Sequence, residues 1–189
     1  DVSLAATFSE WDLTPGDVPN TNYDRALIMG PWHDLDPGVS NSPTQQVKYN
    51  TFGTAPNRKW VLSFYKLPLF NGACNPLIEN THQIILHEST GVIEVFIKDK
   101  QICPTWNNGK AMVGLQDFTQ TKGIMPTGRR ASDPSWGSIG MNETWRFIPS
   151  QGAPLYRSVV LLDGTGTVVA TGDTTRIDAN TFETTFSNV

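Results

Sequence analysis

Apolar and polar residues alternate along most of the chain, the pattern of β-strands that turn one face to a core. The clearest segment is 92–98, where Ile93, Val95 and Ile97 fall on one face. A tight hairpin at Ser89–Gly91 is expected to join it to the strand before. Further strands are predicted at residues 26–29, 45–49, 61–65, 82–88, 111–115, 144–148, 157–162, 167–170 and 182–189. No window has the spacing of an amphipathic helix, so an all-β antiparallel two-layer sandwich of jelly-roll type is predicted.

A cluster of Pro, Gly and Ser residues at 149–154 interrupts the alternating pattern of the chain. Such clusters mark linkers and domain boundaries. We therefore expect a main sandwich module over residues 1–150 and a small β unit over residues 151–189. So short a second unit buries little core alone, and it should lean on the first unit or on another chain.

Composition and charge exclude several classes of partner. Of the 189 residues only 17% are charged, the formal net charge is −4, and Lys and Arg form no run. Neither nucleic acid nor a membrane surface is therefore expected as a partner. No apolar stretch approaches the roughly 18 residues of a membrane span, so membrane insertion is not expected either. Any targeting signal is expected to have been removed or to lie outside this sequence.

The two cysteines, Cys74 and Cys103, lie at the edges of strand-like segments. In a chain with so little charge and so many turns they are interpreted as a disulfide. The alternative is a pair of free buried thiols. A bridge would favour a secreted protein, because disulfides persist in oxidising compartments.

Several segments resemble nidogen-like extracellular domains, and more closely a module of giant surface proteins. The first kind of resemblance rests on residues 26–37, 60–65 and 80–86; the second rests on residues 81–88, 106–117, 128–130 and 142–149. The surface proteins are the type IX-secreted adhesins of Bacteroidota, including gliding-motility adhesins. The resemblance implies a nidogen-like sandwich, a small Ig-like unit from Val159 onwards, and a location on the outer cell surface.

Two departures from that family matter. Its module has additional strands before the point where this sequence starts, which implies that other segments or chains of the same surface protein supply edge strands. Gly128-Arg129-Arg130 stands where the family commonly has Gly-Arg-Asn. Surface glycans and the secretion or motility machinery are further partners that the resemblance suggests.

The known enzyme signatures are absent from the sequence. No nucleophile elbow, P-loop or Cys-x-x-Cys is present, and His82 and His87 lie an odd number of residues apart, on opposite faces of a strand. We therefore expect no catalysis. A glycan-active hydrolase remains an alternative, because six carboxylates are candidates for an acid and base pair: Asp34, Asp36, Glu79, Glu88, Glu94 and Asp117.

Asp34 and Asp36 lie in a loop bounded by Gly and Pro and form a candidate Ca²⁺ site. Carboxylates are hard oxygen ligands, and backbone carbonyls would complete the shell. The alternative needs no ion, because Asp34 and Asp36 can accept hydrogen bonds from turn amides.

Four tryptophans in turn-rich segments are candidates for an exposed ligand platform: Trp11, Trp32, Trp106 and Trp136. Exposed rings stack on sugars or anchor protein partners. The alternative places them in the core, as we expect for Trp60 and Trp145 in strands. Arg129 and Arg130 are expected in a solvated loop.

The function that fits these observations is a non-catalytic module of a secreted surface protein that mediates surface attachment, gliding or assembly. The incomplete sandwich would be joined to neighbouring segments or chains of the surface protein when they add a strand to its sheet. A lectin-like carbohydrate-binding module is the first alternative, and the hydrolase is the second.

Overall fold

The computed structural model describes residues 11, 13–38, 44–70, 72–74, 78–149, 156–176 and 181–185. These residues form short strands joined by turns, as expected for a chain rich in Gly, Pro and β-branched residues. The strands are β1 (Leu27–Trp32), β2 (Gln46–Phe52), β3 (Lys59–Pro68), β4 (Glu79–His87), β5 (Ile93–Asp99), β6 (Met112–Gln116), β7 (Gly123–Pro126), β8 (Glu143–Pro149), β9 (Tyr156–Leu162), β10 (Val168–Thr171), β11 (Asp173–Arg176) and β12 (Thr181–Thr185).

The strands form two sheets. The larger has seven strands in the order β10-β9-β8-β5-β4-β3-β2, and the smaller has five in the order β1-β6-β7-β12-β11. Neighbouring strands run antiparallel except β7 and β12, which are parallel. The predicted all-β sandwich is therefore confirmed. No helix within the described ranges has the length and apolar character that a membrane span needs.

The main core lies between the two sheets. The larger sheet contributes Ile84, Val95, Ile97, Trp145, Phe147 and Val159, and the smaller contributes Val113, Leu115 and Ile124. The predicted faces of β5 are confirmed, because Val95 and Ile97 are buried in this core and Ile93 packs against it. Glu94 lies on the opposite face, opposite Arg146 of β8.

The two sheets approach closely at Gly30 of β1. A Cβ atom at this position would lie 2.9 Å from the His82 ring, so only glycine lets β1 lie this near to β4. The outer face of the smaller sheet carries a second apolar cluster, in which Leu27, Met29 and Met112 pack against Val18 and Tyr23. The segment before β1 therefore covers this sheet from outside.

Two strands escaped the sequence-based prediction, β7 and β11. All four residues of β7 are buried, and the strand begins with Gly and ends with Pro. A short strand buried on both faces shows no alternation, which removes the signal used to find it. The predicted strand at 182–189 overlaps β12, and its residues 186–189 lie outside the described residues.

Strands from the predicted second unit extend both sheets. β9 pairs with β8 in the larger sheet, β12 pairs with β7 in the smaller, and Val159 lies in the main core. The predicted boundary near residue 150 lies outside the described residues, and the division into 1–150 and 151–189 stays a prediction.

Candidate functional site

An open pocket lies at one corner of the sandwich and is lined by three aromatic rings and one carboxylate. The rings belong to Trp11, Phe70 and Trp106, the carboxylate belongs to Asp34, and the volume is ≈ 380 Å³. We call this pocket, with these four residues, the aromatic corner. The Trp11 and Trp106 rings stack with centroids 5.5 Å apart, and the Phe70 and Trp106 centroids are 5.9 Å apart with the rings tilted by 60°.

A tight turn holds Trp106 in the aromatic corner. A short 3-10 helix at Asn107–Gly109 follows it, with Asn107 and Asn108 in the left-handed region at φ 46° and 51°. Asparagine tolerates this region better than most residues. The buried Lys100 side chain fastens the turn, because its Nζ donates to the Gly109 carbonyl at 2.6 Å and to the Trp136 carbonyl at 2.8 Å. Burial, with added repulsion from Arg129, lowers the pKa of Lys100 to about 7.

Backbone pairing brings Phe70 beside Asp34. Leu35 and Leu69 form an isolated antiparallel bridge, and the Phe70 amide donates to the Asp34 carbonyl at 3.0 Å. The segments that leave β1 and β3 are thereby joined at this point. The disulfide between Cys74 and Cys103, with Cα atoms 6.0 Å apart, packs in the same apolar cluster as Trp106 and confirms the predicted bridge.

The Asp34 carboxylate is anchored within the aromatic corner. Its Oδ2 accepts a hydrogen bond from Trp106 Nε1 at 3.2 Å. Burial raises the pKa of Asp34, the Trp106 hydrogen bond opposes the rise, and the nearby Asp36 charge adds to it. No lysine or arginine lines the pocket among the described residues, so its local charge is negative.

Calcium binding at Asp34 and Asp36 stays a prediction. Asp36 Oδ1 accepts from the Gly38 amide at 2.8 Å, the turn-capping role given as the alternative. Within the described ranges, no three residues among His, Cys, Asp and Glu converge to hold a metal ion.

The four tryptophans proposed as a platform divide into two pairs. Trp11 and Trp106 meet in the aromatic corner, where Trp11 is 51% exposed. Trp32 and Trp136 are only 4% and 7% exposed and pack in the two cores, so burial removes them from any exposed platform. Trp11 and Trp106 stack on each other, whereas a lectin platform needs exposed rings that lie side by side.

Two expectations about single side chains were wrong. Trp60 was expected in the core, but it is half-buried and its ring meets the exposed Tyr49 at 6.2 Å. Arg129 was expected in a solvated loop. Its guanidinium instead pairs with Glu143, whose side chain is only 10% exposed, and lies 4.2 Å from the centre of the Trp136 ring. The other tryptophan expected in the core, Trp145, is buried there.

Four of the six carboxylates considered for a hydrolase are engaged separately. Glu88 pairs with Arg58, Glu94 accepts from His87 and Arg146, and Asp117 accepts from amides of the 117–122 turn. Glu79 lies 3.7 Å from Lys66 Nζ. His82 and His87 point to opposite faces as expected, since His82 is buried against Phe64 and His87 bonds Glu94.

A second candidate surface is the free edge of the larger sheet. β2 is its terminal strand, and all seven of its residues are exposed. In the strand register of the larger sheet, Tyr49 lies in one row across the strands with three residues of the core face: Leu62 of β3, Ile84 of β4 and Val95 of β5. The Tyr49 side chain therefore extends this row to the edge strand. Tyr49 is nevertheless 74% exposed. The core face therefore continues to the sheet edge, where none of the residues that the structure describes covers it.

Sequence reasoning missed Phe70 and Lys100. Phe70 lies in a loop without periodicity, and only its position four residues before Cys74 hinted at the corner. Lys100 looks like a solvated charge at the end of a strand. Its burial depends on two backbone carbonyls that distant turns supply.

Comparison with known proteins gives one family and no individual relative. The family model described as NIDO related matches residues 2–154. Neither the curated proteins nor the solved structures contain a significant match to the chain.

Proposed function

Because the chain belongs to the NIDO-related family, we propose that it is a non-catalytic module of an exported surface protein, which works in adhesion or assembly. Neighbouring segments or chains of the same protein join it by strand addition. The observation that carries this proposal is the free edge at β2, where seven residues in a row are exposed. An exposed strand edge is a template for pairing with another strand.

The character of the β2 edge favours a strand as its partner. Val47, Tyr49 and Phe52 are exposed apolar side chains on this strand. Natural edge strands are commonly short, charged or covered, which prevents aggregation. β2 carries only one charged residue, Lys48. An added strand would pair with the backbone groups of β2 that face away from β3, and its side chains would continue the row that ends at Tyr49.

The disulfide supports export to an oxidising compartment, because cytosolic thiols are kept reduced. The resemblance of residues 106–117 and 142–149 to type IX-secreted adhesins favours the surface of a gliding or adherent bacterium as the location. A non-catalytic role is supported by the separate engagement of Glu79, Glu88, Glu94 and Asp117, which leaves these carboxylates in structural roles.

Hydrogen exchange tests strand addition. In the full surface protein that we propose, the amides of β2 that point away from β3 should exchange at least tenfold more slowly than in the 189-residue chain. Equal and fast exchange in both proteins would overturn strand addition at this edge.

A pair of matched variants tests the apolar face. Tyr49→Lys should remove the additional protection, because it places a charge in the apolar row that the side chains of the added strand would continue. Ile139→Lys is the control, since Ile139 is 73% exposed and lies outside β2. Loss of protection in both variants, or in neither, would count against the β2 face as the docking surface.

A further inference from the structure

We propose that the aromatic corner binds an organic cation of the quaternary ammonium class, such as a choline-type or trimethylated amine group. The site shares no residue with β2. It can therefore bind its ligand whether or not strand addition occurs.

The aromatic lining favours a cation. Tryptophan, tyrosine and phenylalanine rings carry negative potential on their faces and attract a cation within about 6 Å of the ring centroid. Phe70 and Trp11 are 54% and 51% exposed, so both can reach a ligand that enters the pocket. The volume of ≈ 380 Å³ lies toward the lower end of the range for small-molecule sites.

The negative charge of the pocket also favours a cationic ligand. Asp34 is the one charged side chain among the described residues that line it. Trp106 Nε1 bonds only Oδ2 of this carboxylate, which leaves Oδ1 as a counter-ion for the ligand. Asp36, the next carboxylate, adds negative potential without lining the pocket.

A quaternary ammonium group fits this lining better than the other ligands considered. It donates no hydrogen bond and needs only ring faces and a negative charge. Calcium needs six to eight oxygen ligands, and a sugar needs several placed polar partners. Asp34 is the one carboxylate in the described lining, so the aromatic corner meets neither requirement.

Calorimetry on the intact 189-residue chain tests the proposal with two probes of the same shape. Choline chloride should bind, and 3,3-dimethylbutan-1-ol, its neutral counterpart, should bind at least tenfold more weakly. Equal affinity for the two probes would show that the site recognises only apolar shape, and it would overturn the proposal. Absence of choline binding up to 50 mM would also overturn it, as would displacement of choline by low millimolar Ca²⁺ or stronger binding of neutral sugars.

Two variants assign the binding to the aromatic corner. Asp34→Asn should weaken choline binding about tenfold, and Phe70→Leu should weaken it about three- to fivefold, the range for loss of one exposed cation–π contact. Phe52→Leu is the matched control, because Phe52 is also 54% exposed but lies on β2. If circular dichroism shows that Asp34→Asn does not fold, the comparison of Phe70→Leu with Phe52→Leu tests whether choline binds at the aromatic corner. Equal affinity in those two variants would overturn the assignment.

Discussion

The guanidinium of Arg129 lies among groups that a sequence pattern does not reveal. Its Nε donates to Glu143 at 2.8 Å, and its Cζ lies 4.2 Å and 5.6 Å from the centres of the Trp136 and Trp145 rings. Glu143 also accepts a hydrogen bond from Trp145 Nε1. One ion pair therefore links the loop after β7 to β8 and to the main core.

Arg129→Gln should lower the free energy of unfolding by about 2 kcal/mol, because it leaves the largely buried Glu143 charge without the guanidinium. Urea denaturation measures this loss. Arg58→Gln is the control: its partner Glu88 is more exposed, so the loss should be clearly smaller than in the Arg129 variant. Equal losses in the two variants would contradict the structural role of Arg129.

The buried His82 makes stability depend on pH. Burial lowers its pKa to about 3, whereas an unfolded histidine titrates near 6.5. Between these values the unfolded chain binds a proton that the folded chain does not. The stability contribution is therefore present above about pH 6.5 and is lost as the pH falls below it. His33 acts in the same direction, since burial, Lys100 and His82 lower its pKa.

In His82→Gln, the loss of stability between pH 6.5 and 5 should be smaller than in the unmodified protein. The slopes should differ by up to about 1.4 kcal/mol per pH unit, the value for one proton. Urea titrations at several pH values measure both slopes. Parallel slopes would show that His82 is not the titrating group, whatever the variant does to overall stability.

At the scale of the elements, the disulfide joins two loops that lie outside the main core. Cys74 and Cys103 are 29 residues apart, and around them the described residues form a small cluster with Leu35, Leu69, Ile78 and Trp106. This cluster is separate from the main core between the sheets. The bridge therefore supports the aromatic corner rather than the sandwich as a whole.

A Cys74→Ala and Cys103→Ala double variant should lose roughly 3 to 4 kcal/mol of stability, the loop entropy that the bridge removes from the unfolded chain. Far-ultraviolet circular dichroism should stay unchanged, since the sheets keep their own core. Denaturation curves measure the loss. A loss below about 1 kcal/mol would mean that the bridge does not restrain these loops.

At the scale of the whole molecule, the strands after residue 155 complete the core of the sandwich. β9 pairs with β8 along most of its length, and Val159, Val160 and Leu162 are buried. Phe147 of β8 lies opposite Val159 in the core. The sandwich therefore loses part of its core if the chain stops at β8.

A chain that ends at Pro149 should unfold at least 10 °C below the 189-residue chain and should expose apolar surface to a dye such as ANS. Calorimetry of both chains measures the difference. An unchanged melting temperature would instead support an independent unit at residues 151–189 and a self-sufficient module at residues 1–150.

The sequence by itself determined the all-β class, most of the strands, the faces of β5, the disulfide and the relationship to nidogen-like domains. These features depend on alternation, turn residues and local motifs, which are properties of neighbouring residues. It did not reveal β7, because a strand buried on both faces does not alternate. It also left open which of the four tryptophans would be exposed.

Only the tertiary structure decided the rest. Trp11, Asp34, Phe70 and Trp106 are up to 95 positions apart in the sequence, from 11 to 106. The bridge between the segments after β1 and β3 places Phe70 beside Asp34, and Trp106 joins them through its hydrogen bond to Asp34 and its stacking on Trp11. The burial of Lys100 and the ion pair of Arg129 likewise depend on partners from distant turns and strands. A charged or aromatic side chain has no single location that its neighbours dictate, so only the packing of the sheets and loops assigns it to core, corner or surface.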